Sequence, residues 1–174
     1  MKACFIGHRN IDKTERLCLL LKQTIEMLIK KGVNVFLFGS KSAFDNLSWE
    51  IVSELKKKYP FIKRVYARSS YQRIDKAYED YILQFYEQTY FSPTLENAGK
   101  SCYIKRNYQM IDNCTYCVFY YDKNYKAIKN GTKGSLKLQE SRKSGTKIAY
   151  EYALKKKKVI FNMCINNKNQ IQKG

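Results

Sequence analysis

The chain has 174 residues, with 44% hydrophobic, 14% aromatic and 28% charged side chains. That composition excludes disorder as the main state, because the apolar surface suffices to offset chain entropy, and the length suits one domain better than two. Its 33 Lys+Arg against 15 Asp+Glu give a net charge of +18, and an anionic partner is the ordinary consequence of such a surplus.

In chain order, Lys2–Ile6 is a short apolar run that stops at Gly7, the pattern of a strand ending in a turn. Asp12 with Glu15 three residues on has capping-box spacing. Leu17, Leu20, Leu21, Ile25, Leu28 and Ile29 then recur with helical period, and Gly32 closes the segment. Val33–Phe38 reads as a second strand, Phe44–Lys58 as a second helix stopped by Pro60, and Ile62–Ala67 as a third strand. Ser69–Tyr90 carries Ile74, Tyr78, Tyr81, Ile82 and Phe85 at helical spacing, and a loop follows around Pro93 and Gly99. Tyr103–Asn113 reads as a short helix, Tyr116–Tyr121 as a buried strand and Asp122–Lys143 as a long loop or hairpin. Gly145–Lys155 is a helix, Val159–Met163 the last strand, and the residues from Asn166 a frayed tail. Strand–helix alternation of this kind predicts a Rossmann-like α/β three-layer sandwich, with a mainly parallel sheet of five or more strands. The expected organisation is one domain over residues 1–165 and a tail over 166–174.

No apolar run approaches the ~20 residues of a membrane span, and Met1–Gly7 is too short for a signal peptide. A cytoplasmic protein without a membrane partner is the expectation. The cations are 26 Lys and 7 Arg. That ratio suits a solvated surface first, attraction of a small anion second, and a nucleic-acid face third. Of the six cysteines, only Cys114 and Cys117 are closely spaced, and no second pair or His motif partners them. Structural free thiols are therefore expected, with neither metal nor cofactor.

In an open parallel sheet, ligands bind beyond the carboxyl ends of the strands. Four segments fall there: Gly7-His8-Arg9, Gly39-Ser40-Lys41-Ser42, Asp122, and Ser144-Gly145-Thr146. Glycine permits close approach of backbone N–H groups, a helix N-terminus offers unpaired donors, and the hydroxyls of Ser40, Ser144 and Thr146 add more. His8, the single histidine, has three roles open to it: acid–base catalysis, ligand contact or structure. Arg106, with Asn107 beside it, suits bidentate phosphate binding; the other reading is an ion pair with Asp112 or Asp122. No GxGxxG follows the first strand, and Gly99-Lys100-Ser101 lacks the leading glycine of a P-loop because position 94 is Thr.

Ile6-Gly7-His8-Arg9, Gly39-Ser40, Arg106-Asn107-x-x-Met110-Ile111-Asp112 and Ser144-Gly145-Thr146, in that order, resemble the SLOG superfamily, closest to its YpsA-like branch. The resemblance spans roughly residues 2–163. It implies a Rossmann-like domain that binds a phosphate-bearing nucleotide or derivative, ADP-ribose-like or cyclic, as sensor, carrier or sequestering protein. The superfamily is tied to nucleotide signalling in bacterial and phage conflict, and a homo-oligomer, dimer or higher, is expected.

The same superfamily holds the LONELY GUY phosphoribohydrolases, with an R-K-x-x-M segment and a P-G-G-x-G-T-x-x-E loop. Arg106 and Met110 match the first and Gly145-Thr146 the second, but the catalytic glutamate falls on Ala149 and the leading Pro-Gly-Gly is missing. Glu151 lies two positions on, about 200° around a helix. A nucleotide N-glycosidase using Asp45 or Glu151 is one rival expectation. A single-strand nucleic-acid binder of the DprA type is the other.

Overall fold

In the computed structural model, residues 1–69, 76–92, 95, 99–125 and 144–164 are described. The Pro93 loop, Ile74, residues 126–143 and the tail from Asn166 lie outside the described residues. Six strands and five helices follow in the order β1 (Lys2–Gly7), α1 (Glu15–Lys30), β2 (Val35–Phe38), α2 (Ala43–Lys58), β3 (Lys63–Ala67), α3 (Lys76–Leu83), β4 (Gln88–Tyr90), α4 (Cys102–Asp112), β5 (Tyr116–Tyr120), α5 (Gly145–Lys155) and β6 (Val159–Asn162). A short 3-10 turn, Gly99–Ser101, leads into α4.

All strands are parallel, and the sheet order is β4-β3-β2-β1-β5-β6. This is the expected α/β Rossmann-like three-layer arrangement. The two-residue period of β1 divides the core: Ala3 and Phe5 join one apolar cluster, Cys4 and Ile6 the other. The first cluster lies under α1 and α2 and is built on Phe5, Phe36, Phe38 and Phe44, all fully buried. The second lies under α4 and α5, where Met110, Ile111, Ala149 and Ala153 meet Leu37, Cys117 and Phe119. All six cysteines are free, and Cys4, Cys114 and Cys117 are buried. Cys114 and Cys117 beside Cys4, together with burial, raise the Cys4 thiol well above its ordinary range.

Two expectations need correcting. Helix α1 is capped by Thr14, not Asp12: the Thr14 Oγ1 accepts from Leu17 N at 3.1 Å. The segment read as one helix to Tyr90 instead ends at Leu83 and then forms β4, which pairs with β3 from Gln88 to Tyr90. An ion pair holds that edge: Glu87 accepts from Arg64 N and from Arg64 Nη2, both at 2.6 Å. Among the described residues, no helix is long and apolar enough to cross a membrane.

Chain order and strand order together locate the crevice. From β1 the chain steps outward through β2 and β3 to β4, then returns to lay β5 on the other flank of β1. The connections leaving β1 and β5 therefore diverge, and a gap opens beyond their carboxyl ends.

Candidate functional site

That gap is a cavity of about 730 Å³. Gly7, His8, Arg9, Gly39, Ser40, Arg106, Asn107, Ser144, Gly145 and Thr146 all line it, so four segments distant in sequence meet at one sheet edge. Asp122 stands apart. Its side chain turns back to accept from Asn124 N at 2.9 Å, and it serves the site through its backbone.

His8 follows β1 and is 2% exposed. Asp122 N lies 3.0 Å from its Nε2, and Asp122 O lies 3.2 Å from the same atom. A backbone N–H can only donate, so Nε2 accepts and Nδ1 carries the proton. This bond bridges the gap between β1 and β5. Tyr125 stacks on the ring at 3.8 Å with an interplanar angle of 9°. Burial lowers the His8 pKa, while the backbone and charge of Asp122 pull the other way. The imidazole is therefore neutral at pH 7. Its buried Nδ1 has no hydrogen-bond partner among the described residues.

Arg106 sits on α4 and is 4% exposed. It forms an ion pair with neither expected acid. Asp112 instead accepts from the Tyr152 hydroxyl and pairs with Lys156 at 3.4 Å. Arg106 Nη1 donates to Gly39 O, while Nε and Nη2 donate to Asn107 Oδ1 at 3.3 and 2.9 Å. These bonds leave one hydrogen on each terminal nitrogen. Burial pulls its pKa below the ordinary arginine value, with Asp45 acting in the opposite direction. It stays a cation at neutral pH.

The hydroxyl of Ser40 is a correction to the expected donor set. Its Oγ donates to Asp45 Oδ2 at 2.7 Å, and its N donates to Asp45 Oδ1 at 3.2 Å. Ser42 caps α2, its Oγ accepting from Asp45 N at 3.1 Å and donating to the same carboxylate. Asp45 is thus occupied as the clasp of the β2–α2 turn. Helix α5 opens differently. Ser144 accepts from Lys147 N at 3.1 Å, so the N–H groups of Gly145 and Thr146 precede the helical bonding and face the cavity end. No hydrogen bond within the described residues occupies the Thr146 hydroxyl.

The glycines divide by cause. A Cβ on Gly7 would stand 2.4 Å from Phe44 Cβ, and one on Gly39 would stand 2.5 Å from Met110 Sδ and 2.7 Å from Arg106 Nε. Both are required by packing of helix on strand. A Cβ on Gly145 would meet nothing within 4 Å, so this glycine alone leaves space open at the cavity. Residues absent from the sequence expectation also line it, among them Tyr103 and Tyr125. Lys41 and Arg9 are exposed cations; with Arg106 they outnumber Asp45, the one carboxylate among the described lining residues. Tyr103 lies one turn before Arg106, a spacing that an aromatic core reading does not single out.

Ala149 is 1% exposed and packs in the core under α5, and Glu151 lies on that helix's exposed side. Neither lines the cavity.

The site is a crevice at the switch point of a parallel sheet, cationic and edged by a helix N-terminus, the place where ligand sites form in Rossmann-like folds. The YpsA family model, described as the YspA SLOG family, matches residues 6–154, and the chain belongs to that family. Membership points to a nucleotide-related function. The comparison with curated proteins gives no match.

Proposed function

We propose that the cavity binds a small phosphate-bearing nucleotide or nucleotide derivative, and that the protein acts as sensor, carrier or sequestering protein rather than by turnover. One observation carries this reading: the buried Arg106 has no carboxylate within ion-pair distance among the described residues, and it shares its cavity with the open N-terminus of α5. A buried cation without an anion is costly, and a phosphate supplies the missing charge. Gly145 N, Thr146 N and the Thr146 hydroxyl would take the phosphate oxygens, while Arg9 and Lys41 would close on it from solvent. The volume fits a single small ligand, whose sites run to ~300–1,000 Å³.

Binding is favoured over N-glycosidic cleavage because that chemistry needs a carboxylate held beside the ribose. Ala149 occupies the position of the glutamate, and both Asp45 oxygens already accept from Ser40 or Ser42. Calorimetric titration with AMP, with chromatography of the mixture for free adenine, tests the reading. Saturable one-site binding without base release is the expected result. Multiple-turnover release of adenine would replace it with the hydrolase reading. Salt-sensitive binding of an oligonucleotide without any binding of AMP would replace it with the nucleic-acid reading.

A further inference from the structure

We infer that Tyr103 is the base-stacking residue of this site, so that the ligand class is a nucleotide with its heteroaromatic base in place rather than a bare sugar phosphate. The inference rests on the proposed phosphate site and adds the other end of the ligand. Tyr103 lies on the first turn of α4, three residues before Arg106, which puts both on one face of the helix. It lines the cavity and yet is 60% exposed, among the most exposed large apolar side chains of the described residues. Tyr125, which also lines the cavity, already stacks on His8. Among the described residues, Tyr103 has no such ring partner. What it has is Arg106, whose guanidinium carbon lies 5.7 Å from the ring centroid. Because Arg106 is itself fixed by Gly39 O and Asn107 Oδ1, the tyrosine ring rests against a held cation.

The result is an aromatic plane backed by a held cation at the edge of a polar, cationic cavity. A ring left in water there gains by covering its open face with another π system, and nucleobases provide one without requiring a particular hydrogen-bond pattern. Sugar phosphates have no such face. The arrangement therefore separates ligands by whether they carry a base. The α5 N-terminus and Arg106 answer to the phosphate, and Tyr103 answers to the base.

The experiment is calorimetry of the full chain with AMP and with ribose 5-phosphate, on the wild type, Tyr103→Ala and Tyr103→Phe. The exposed position makes both variants compatible with the fold, which circular dichroism checks. Tyr103→Ala should weaken AMP about tenfold or more while leaving ribose 5-phosphate within about twofold, and Tyr103→Phe should match the wild type for both. Equal AMP affinity in wild type and Tyr103→Ala overturns the stacking role but leaves the phosphate site standing. An equal loss for both ligands also overturns it, because the residue would then act on the phosphate end. A wild type that binds neither ligand overturns the phosphate site and the stacking role together.

Discussion

Arg106 serves two purposes at the scale of one side chain. Its bond to Gly39 O ties α4 to the end of β2, and the side chain lines the cavity. Arg106→Ala should therefore weaken AMP binding by about 1.5–3 kcal/mol, roughly tenfold to hundredfold. It should also lower stability by about 1–3 kcal/mol, since Gly39 O loses its buried partner. Urea unfolding and calorimetry read the two effects separately; a stability loss with unchanged affinity would make the residue a strut alone. His8 supplies a pH signature. Its folded pKa lies below the ordinary value near 6.5, so on acidification the unfolded chain takes the proton first. Stability contributed by the neutral ring is fully present above about pH 6.5 and is lost as pH falls from there through the folded-state pKa. Because His8 is the single histidine, wild type minus His8→Gln isolates the effect. Urea midpoints between pH 7.5 and 5 should decline more steeply for the wild type, and parallel declines would refute the assignment.

At the scale of elements, the glycines and Ala149 test how helices seat on strands. Gly7→Ala drives a methyl into Phe44 and should cost about 1–3 kcal/mol or more, because the fully buried Phe44 cannot yield. Gly145→Ala meets nothing and should leave the melting curve within about 0.5 kcal/mol of wild type. Its methyl occupies the space where a ligand must approach the α5 N–H groups, so AMP affinity should fall. Equal destabilisation by both substitutions would contradict this division. Ala149→Glu would place a carboxylate against Cys117 and Phe119 in the core, and it should destabilise by several kcal/mol without creating hydrolysis. A stable mutant that releases adenine from AMP would contradict that.

Legibility followed the physics of each element. Helix α5 was readable to the residue, because Ser144 caps it and Ile148, Tyr152 and Ala153 recur with helical period. Strand β4 was not, since Gln88-Thr89-Tyr90 has no apolar run and owes its place to pairing with β3 and the Arg64–Glu87 clasp. Gathering the three glycine and hydroxyl segments at one edge followed from strand–helix alternation, whereas Asp122 stands apart from them. Their separate duties did not, because Gly7 answers to Phe44 and Ser40 to Asp45, contacts that only the packed molecule creates.

At the scale of the whole molecule, the charge of +18 and the cavity are different statements. Lys56, Lys57 and Lys58 fall in the last turn of α2 and Lys155 in that of α5, where cations complement the helix dipole. The cations that line the cavity are Arg9 after β1, Lys41 after β2 and Arg106 on α4. The central claim is that this crevice holds a phosphate-bearing nucleotide. Native mass spectrometry of the purified full chain, first alone and then with AMP, tests it most directly. The account predicts one added mass per chain, either a copurified nucleotide-type compound or AMP itself, lost in Arg106→Ala. A wild-type chain that carries no such compound and gains no AMP mass at millimolar ligand would contradict it.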